Sequence, residues 1–138
     1  MKIKCVLDEN AILPVRAHDI DVGFDLFSRN GAVIWPGYPV TFDTGVHLQL
    51  PPGYAGEVDA KSSLMEQNLL TAGIVDPGYT GSIKVRLFNL GTKIVTIEPK
   101  QKIAQLVIKS VITPEIDLAV ELEETERGDG GFGSTGKF

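Results

Sequence analysis

Lys61, Ser62 and Ser63, in the stretch DAKSSLM, form the first group of residues that could do chemistry. The lysine supplies a positive charge and the serines supply two hydroxyls, at the start of a predicted helical turn whose first backbone N–H groups have no partner within the helix. Together these groups can bind a phosphate. The structural alternative is that Ser62 or Ser63 serves only as the N-cap of the turn.

Two aspartates stand where a carboxylate could act on a substrate. Asp25, in DVGFDLFS, lies between apolar Phe24 and Leu26, where an alternating strand places either a surface residue or a carboxylate with a partner. Asp76, in GIVDPGYTGSI, ends an apolar run and opens a turn. Taken singly, Asp25 is best interpreted as a surface residue and Asp76 as part of an Asp-Pro-Gly turn.

One amide interrupts the apolar stretch KIAQLVI. Gln105 lies in a strand that is apolar on both faces, so we expect its side chain to be buried. A buried amide needs hydrogen-bond partners. Taken singly, Gln105 is expected to find those partners among backbone groups, and a ligand is the functional alternative.

The chain ends in RGDGGFGSTGKF, from Arg127 to Phe138, which holds five of its 15 glycines. Glycine loses more conformational freedom on ordering than any other residue, so this segment cannot fold alone. Its backbone can approach phosphates closely, its hydroxyls can donate to them, and the ring of Phe132 can cover a planar base. A disordered tail is the compositional alternative.

The elements that would position these groups are mostly strands. Alternating apolar residues in VTFDTGVHLQL and SIKVRLF indicate half-buried strands, and proline and glycine turns separate them at close spacing. Only SSLMEQN, from Ser62 to Asn68, suggests a helical turn or two. Short antiparallel strands must close or pack to bury one face, which predicts an all-β jelly roll or compact barrel.

Length, charge and cysteine content limit the classes of function expected for the protein. The 138 residues fit one domain, and a net charge of −5 disfavours binding to a nucleic-acid backbone. Neither a signal-like stretch nor a membrane span is expected, and a single cysteine, Cys5, allows no internal disulfide, so we expect a cytoplasmic protein. His18 and His47 have no spaced partners for a metal, and surface or strand-edge positions are expected for both.

Five stretches of the chain, in order, resemble the motifs of the trimeric dUTPases: VGFDLFS, AKSSLM, GIVDPGYTGSIKV, KIAQLVI and RGDGGFGSTG. The resemblance implies a distorted jelly roll of the β-clip type over residues 1–126. It also implies a flexible arm, residues 127–138, that completes the active site of a neighbouring subunit in a homotrimer. The implied reaction is hydrolysis of dUTP to dUMP and pyrophosphate by water attack on the α-phosphorus, which keeps uracil out of DNA and supplies dUMP for thymidylate synthesis.

The resemblance also assigns roles around the reacting phosphate. Asp76 would contact the 3′-hydroxyl and orient or deprotonate the attacking water, while Asp25 would order the basic and amide side chains near it. Ser62 and Gln105 would hold the phosphates, with positive charge from Lys61. The cofactor would be Mg²⁺, held mainly by the substrate phosphates and reached from Asp25 through water, without direct protein ligands.

The remaining implied residues bind the nucleoside or close over it. Tyr79 would pack beneath the sugar and exclude a 2′-hydroxyl, and main-chain groups of a β-hairpin between Leu69 and Val75 would read uracil. Phe132 would stack on the base. The full set implied to bind substrate is Lys61, Ser62, Ser63, Gly73, Ile74, Tyr79, Arg127, Phe132, Gly133, Ser134 and Thr135.

The match has departures, and two alternatives accompany it. Lys61 stands where the family usually has arginine, PKQKIAQ has Lys102 in place of a Gly-Asp-Arg-type turn, and the segment from Ser62 to Asp76 is shorter than in many relatives. One alternative is a related dCTP deaminase or a bifunctional relative, although Arg86 stands at the position of the deaminase glutamate. The other is a regulatory scaffold that grips a protein partner, for example through SRNGAVIWPGYP.

Overall fold

The computed structural model describes residues 1–138, which form ten strands and one short helix. In chain order the elements are β1 (Lys4–Leu7), β2 (Gly23–Phe27), β3 (Ala32–Ile34), β4 (Pro39–Gln49), β5 (Tyr54–Asp59), α1 (Ser62–Met65), β6 (Leu69–Leu70), β7 (Ala72–Val75), β8 (Ser82–Asn89), β9 (Val95–Ile97) and β10 (Lys102–Ser110). The predicted all-β class is confirmed.

The strands form two four-stranded antiparallel sheets and one two-stranded sheet. The first sheet has the order β1-β4-β8-β6, the second has the order β2-β10-β5-β7, and β3 pairs with β9. A cluster of 18 buried apolar side chains joins these layers into one core. The order β2-β10-β5-β7 brings residues from distant parts of the sequence side by side, and this sheet carries most of the candidate site.

The predicted alternation is present in both long strands of the first sheet. Ile83, Val85 and Leu87 of β8 are buried while the residues between them are exposed. In β4, Asp43 pairs with Lys84 and His47 with Ser82, so β4 contains two extra residues between these pairs. An insertion of two residues preserves the inward face, because side chains alternate with a period of two.

Helix α1 is shorter than the predicted turn from Ser62 to Asn68. Lys61 occupies the N-cap position without a side-chain cap, so the interpretation of Ser62 or Ser63 as N-cap is wrong. Buried Leu64 anchors α1 to the core. Asn68 adopts a φ of 60°, in the left-handed region, which ends the helical path before β6.

Residues after β10 leave the core. Val111 donates its N–H to the carbonyl of Gly53, and the hydrogen bonds of residues 112–138 stay within the segment 125–136. Apolar side chains in residues 112–122 recur at even positions and are fully or nearly fully exposed: Ile112, Ile116, Leu118, Val120 and Leu122. Helix α1 is not long and apolar enough to span a membrane.

Candidate active site

A small cleft of about 270 Å³ in the second sheet brings Asp25, Lys61, Lys102 and Gln105 together. Asp25 of β2 is 5% exposed and accepts hydrogen bonds from both lysines, with Lys102 Nζ 2.9 Å from its Oδ2. The interpretation of Asp25 as a surface residue is therefore wrong. Its carboxylate is the partnered kind, because a buried charge is costly unless it is paired.

The two lysines set the charge of Asp25. Burial alone would raise the pKa of this carboxyl, but the hydrogen bonds and positive charges of Lys61 and Lys102 outweigh burial and lower its pKa. Asp25 is thus an anion at neutral pH. Asp21 also lines the cleft, so two carboxylates and two ammonium groups leave its formal charge close to zero. An anionic ligand would therefore depend on the N–H donors of the two lysines and Gln105 rather than on excess positive charge.

Gln105 is the direct partner of Asp25 in the β2–β10 ladder, so their side chains share one face of the sheet. Its side chain is only half-buried and makes no hydrogen bond within the protein. The expectation of a buried amide bonded to backbone groups is therefore wrong. An amide in a cleft beside two ammonium groups has free donors and acceptors for a ligand.

Lys102 is a charged residue of the cleft that the sequence did not predict as part of the site. Lys102 pairs with Phe27 but Ala104 pairs with Leu26, so β10 has a one-residue bulge between them. Without the bulge, Lys102 and Gln105 would lie on opposite faces, because they are three residues apart. Ile103 and Ala104 are consecutive and both buried, as expected where a bulge interrupts the alternation.

Ser62 and Ser63 stand beside the cleft at the start of α1. Both are exposed, and neither hydroxyl makes a hydrogen bond to the protein. Lys61, immediately before them, already points its ammonium group at Asp25. Lys61 lines the cleft and neither serine does, so a phosphate site that combines the cation with the two hydroxyls stays a prediction.

Asp76 and Tyr79 lie in a turn, residues 76–81, between β7 and β8. Asp76 is exposed and its carboxylate has no partner, while its backbone carbonyl accepts the N–H of Tyr79 at 3.1 Å. The hydroxyl of Tyr79 donates to the carbonyl of Ser82 at 3.0 Å. A Cβ at Gly81 would lie 2.5 Å from that hydroxyl, so only glycine lets the tyrosine fold back in this way.

The segment expected to read uracil is built differently from the prediction. β6 pairs with β8 and β7 pairs with β5, so the two strands belong to different sheets and do not form a hairpin with each other. The single residue Thr71 between them is too short for a hairpin loop, which needs at least two residues. Gly73 and Ile74 of β7 are exposed, Ile74 by 74%.

The cleft and the turn 76–81 are far apart within one chain. Register places Asp25, Gln105, Asp59 and Ala72 in one row across the second sheet. At about 4.8 Å per strand, Ala72 lies roughly 14 Å from Asp25, and Asp76 lies about 13 Å further along β7. One chain therefore presents two half-sites rather than a closed site.

The candidate residues of the terminal segment form a third group. Arg127 donates from Nε to the carbonyl of Gly130 at 3.0 Å, and it lines an exposed groove with Ser134 and Thr135. Phe132 is fully exposed and Gly133 has a φ of 79°. The hydrogen bonds of this segment reach neither the cleft nor the turn 76–81.

Comparison with known proteins identifies the family of the chain. The family model for dUTPase matches residues 9–136. The chain belongs to the dUTPase family. The deoxyuridine 5′-triphosphate nucleotidohydrolase of Clostridium tetani is 43% identical to this dUTPase-family chain, over 99% of the chain and 97% of the relative. A mitochondrial human relative of the same name is 37% identical over 95% of the chain and 53% of that protein.

Solved structures of dUTPases have the same fold as this chain. The dUTPase of Staphylococcus bacteriophage 80alpha, solved with dUpNHpp, superposes with a TM-score of 0.92 at 28% identity and covers 99% of both chains. A dUTPase from phage phi11 of S. aureus, described with a structural Mg(II) ion, gives a TM-score of 0.83 at 26% identity, over 90% of this chain and all of that one. The match extends through the jelly-roll fold into the terminal segment.

The deaminase alternative is not favoured by these findings. Arg86, at the position of the deaminase glutamate, is exposed on β8, donates to the hydroxyl of Thr41 at 3.0 Å and lies over the ring of Phe88. An exposed, always-charged guanidinium cannot act as a carboxylate base.

Proposed function

We propose that the protein hydrolyses dUTP to dUMP and pyrophosphate, by attack of water on the α-phosphorus. Membership of the dUTPase family supports the reaction. The observation that carries the site is the Gln105 amide, which has no protein partner and faces the cleft formed by Asp25 and two lysines. This amide and the two ammonium groups can donate hydrogen bonds to a polyphosphate.

The cleft would bind the phosphates. Gln105 donates its amide N–H, Ser62 and Ser63 donate their hydroxyls, and Lys61 supplies charge. Asp25 holds Lys61 in place, so it would act by orienting the cation rather than by touching phosphate, which its own negative charge disfavours. Lys102 adds the second positive charge, and lysine makes point contacts where arginine would make a planar two-pronged one.

The turn 76–81 would meet the sugar and the attacking water. Asp76 has a carboxylate free to bind the 3′-hydroxyl and to orient or deprotonate water. Tyr79, held by its bond to the Ser82 carbonyl, would pack beneath the deoxyribose and leave no room for a 2′-hydroxyl. Main-chain groups near Gly73 and Ile74 would read uracil.

Magnesium fits this site through the phosphates. No group of three or more His, Cys, Asp or Glu side chains could hold a metal ion directly, and Asp25 is already bonded to two lysines. Mg²⁺ keeps several waters and binds well to substrate phosphates. It would be held there, reached from Asp25 through water, and would neutralise charge on the phosphates.

A homotrimer would assemble the complete site from three chains. Two observations support assembly: the roughly 20 Å separation of the cleft from the turn 76–81 within one chain, and the exposed apolar residues at even positions 112–122. An alternating apolar face needs cover from another sheet. Residues 127–138 would then order over nucleotide bound by a neighbouring subunit, with Arg127, Phe132, Gly133, Ser134 and Thr135 closing the site.

Within the cell, we place this activity in the cytoplasm, where it would keep uracil out of DNA and supply dUMP. A protein-binding scaffold without hydrolysis is not favoured, since every implied catalytic residue is present. The test is pyrophosphate release from dUTP with Mg²⁺, compared with dTTP, dCTP and UTP. We expect release from dUTP alone; no release from dUTP would overturn the proposal, and ammonia from dCTP would point to a deaminase.

A further inference from the structure

His47 of β4 contacts two segments, the residue after β1 and the turn before β8, that do not pair with each other in the sheet. Its Nδ1 lies 2.8 Å from the backbone carbonyl oxygen of Thr80, and its Nε2 lies 3.1 Å from both carboxylate oxygens of Asp8. A carbonyl and a carboxylate only accept hydrogen bonds. Both contacts can be hydrogen bonds at the same time only when both ring nitrogens carry a proton, as in the imidazolium form.

Thr80 belongs to the turn 76–81, which carries Asp76 and Tyr79. Two hydrogen bonds connect this turn to residues that belong neither to the turn nor to β8. The N–H of Gly78 donates to the carbonyl of Leu50 at 3.3 Å, and the His47 ring contacts the carbonyl of Thr80 at 2.8 Å. His47 lies near the end of β4, and Leu50 is the residue directly after this strand. The contact from His47 is thus the stronger of the two that set the position of the turn.

The other end of the bridge is itself held firmly. Asp8 follows β1, where Val6 pairs with His47, and Arg29 approaches its carboxylate at 3.8 Å. Arg29 also donates to the carbonyl of Glu9 at 2.8 Å. The backbone N–H of Asp8 donates to the carbonyl of Gly45 at 2.8 Å, so the backbone of Asp8 is held beside His47.

We propose that His47 is a positioning residue, which ties the turn 76–81 to Asp8 and thereby holds Asp76 and Tyr79 where substrate meets them. The inference rests on the proposed function for the roles of Asp76 and Tyr79. It goes beyond that function by assigning a role to a residue that touches no substrate. The same geometry makes the position of the turn sensitive to pH.

The sign of that sensitivity follows from the charges around His47. These groups are Asp8 after β1, Lys4 of β1, Arg29 after β2, Asp43 of β4 and Lys84 of β8. The Thr80 carbonyl first, and then Asp8, raise the pKa of His47. The bridge is therefore complete below the ordinary value of about 6.5 and is lost as pH rises through the raised pKa.

Kinetics of matched variants test the role. We expect His47→Ala to lower kcat/KM for dUTP about tenfold at pH 7, as for loss of a charge-assisted hydrogen bond. The deficit should shrink toward pH 9–10, because the native protein then loses its bridge as well. Asp8→Asn should keep the neutral-pH rate and remove the loss at high pH, because its amide can donate to the neutral imidazole. A deficit that is the same at every pH would overturn the proposal.

A second measurement does not depend on catalysis. His18→Gln leaves His47 as the only histidine, so one imidazole signal can be followed by NMR across the titration. We expect its midpoint above about 6.5, with the amide signals of Gly78 and Gly81 moving at the same midpoint. A lower midpoint, or amides that ignore it, would overturn the bridge. If dUTP is not hydrolysed but the amides follow His47, the proposed function fails and the bridge stands.

Discussion

Gly23 and Gln105 interlock across the β2–β10 ladder. A Cβ on residue 23 would lie 2.6 Å from Oε1 of Gln105, closer than real contacts allow. Because residue 23 has no side chain, it leaves room for the side chain of Gln105. This relationship explains why a glycine stands two residues before Asp25, inside a strand where glycine is otherwise unfavourable.

Gly23→Ala should displace the Gln105 side chain from the cleft. We expect KM for dUTP to rise about tenfold, in the range of one lost hydrogen bond to a charged group, with the fold retained. Steady-state kinetics check this expectation. A double-mutant cycle tests whether the effect on KM is caused by the displaced Gln105 side chain. In a Gln105→Ala background the alanine at residue 23 should have almost no further effect; full additivity would show that Gly23 acts by another route.

Asp76→Asn should abolish turnover while leaving nucleotide affinity nearly intact. The substitution keeps the shape of the side chain, and Asp76 is exposed without a side-chain partner, so the fold should not change. Loss of general-base help typically costs ~10²–10⁴-fold in kcat. Single-turnover rates and calorimetric binding of a non-hydrolysable analogue separate the two effects. Equal losses in rate and binding would reject the catalytic role.

Removal of residues 127–138 should separate stability from activity. The hydrogen bonds of this segment are local, so the midpoint of thermal unfolding without nucleotide should stay within about 2 °C of the intact chain, as expected when no contact to the core is lost. Hydrolysis of dUTP should fall by at least about a hundredfold, because the site loses its cover and the groups that orient substrate. Truncated protein that cleaves dUTP at the full rate would contradict the arm's role.

Much of the fold could be predicted from the sequence because it depends on alternation. The apolar positions of β8 are buried as expected, and β4 keeps its inward face through an insertion of two residues. The failures occur where a single residue changes the geometry. Thr71 is the single residue between β6 and β7, and these strands belong to different sheets. The spacing of apolar residues does not predict this change of sheet.

The candidate site was less predictable because it forms across a ladder. Asp25 and Gln105 are 80 positions apart, and their pairing depends on the register of β2 against β10. The register in turn depends on the bulge before Ala104, which also brings Lys102 to the same face. The local sequence pattern around Asp25, Lys102 and Gln105 suggests a structural role for each of them. Only the pairing of β2 with β10 brings the three side chains into one cluster.

Asp25→Asn should make the protein less stable in a pH-dependent way. The amide leaves Lys61 and Lys102 without a counter-charge, and we expect a loss of about 1–3 kcal/mol at pH 7, discounted because Lys102 is 47% exposed. The lowered pKa of Asp25 means that its contribution is present above its unfolded value of about 3.9 and is lost as pH falls through the folded value. Urea unfolding at several pH values checks this, since a difference that persists unchanged at pH 2 would contradict it.

Leu118→Glu should disrupt the proposed homotrimer. Leu118 is 97% exposed in one chain and belongs to the alternating apolar face of residues 112–122. A buried, unpaired glutamate on that face would cost several kcal/mol per subunit contact, so light scattering should report a mass near that of one 14.9 kDa chain instead of three. Ala119→Glu introduces the same residue on the opposite face and should leave the mass unchanged. If both variants stay assembled, this face does not hold the subunits together, and the separated cleft and turn need another interface.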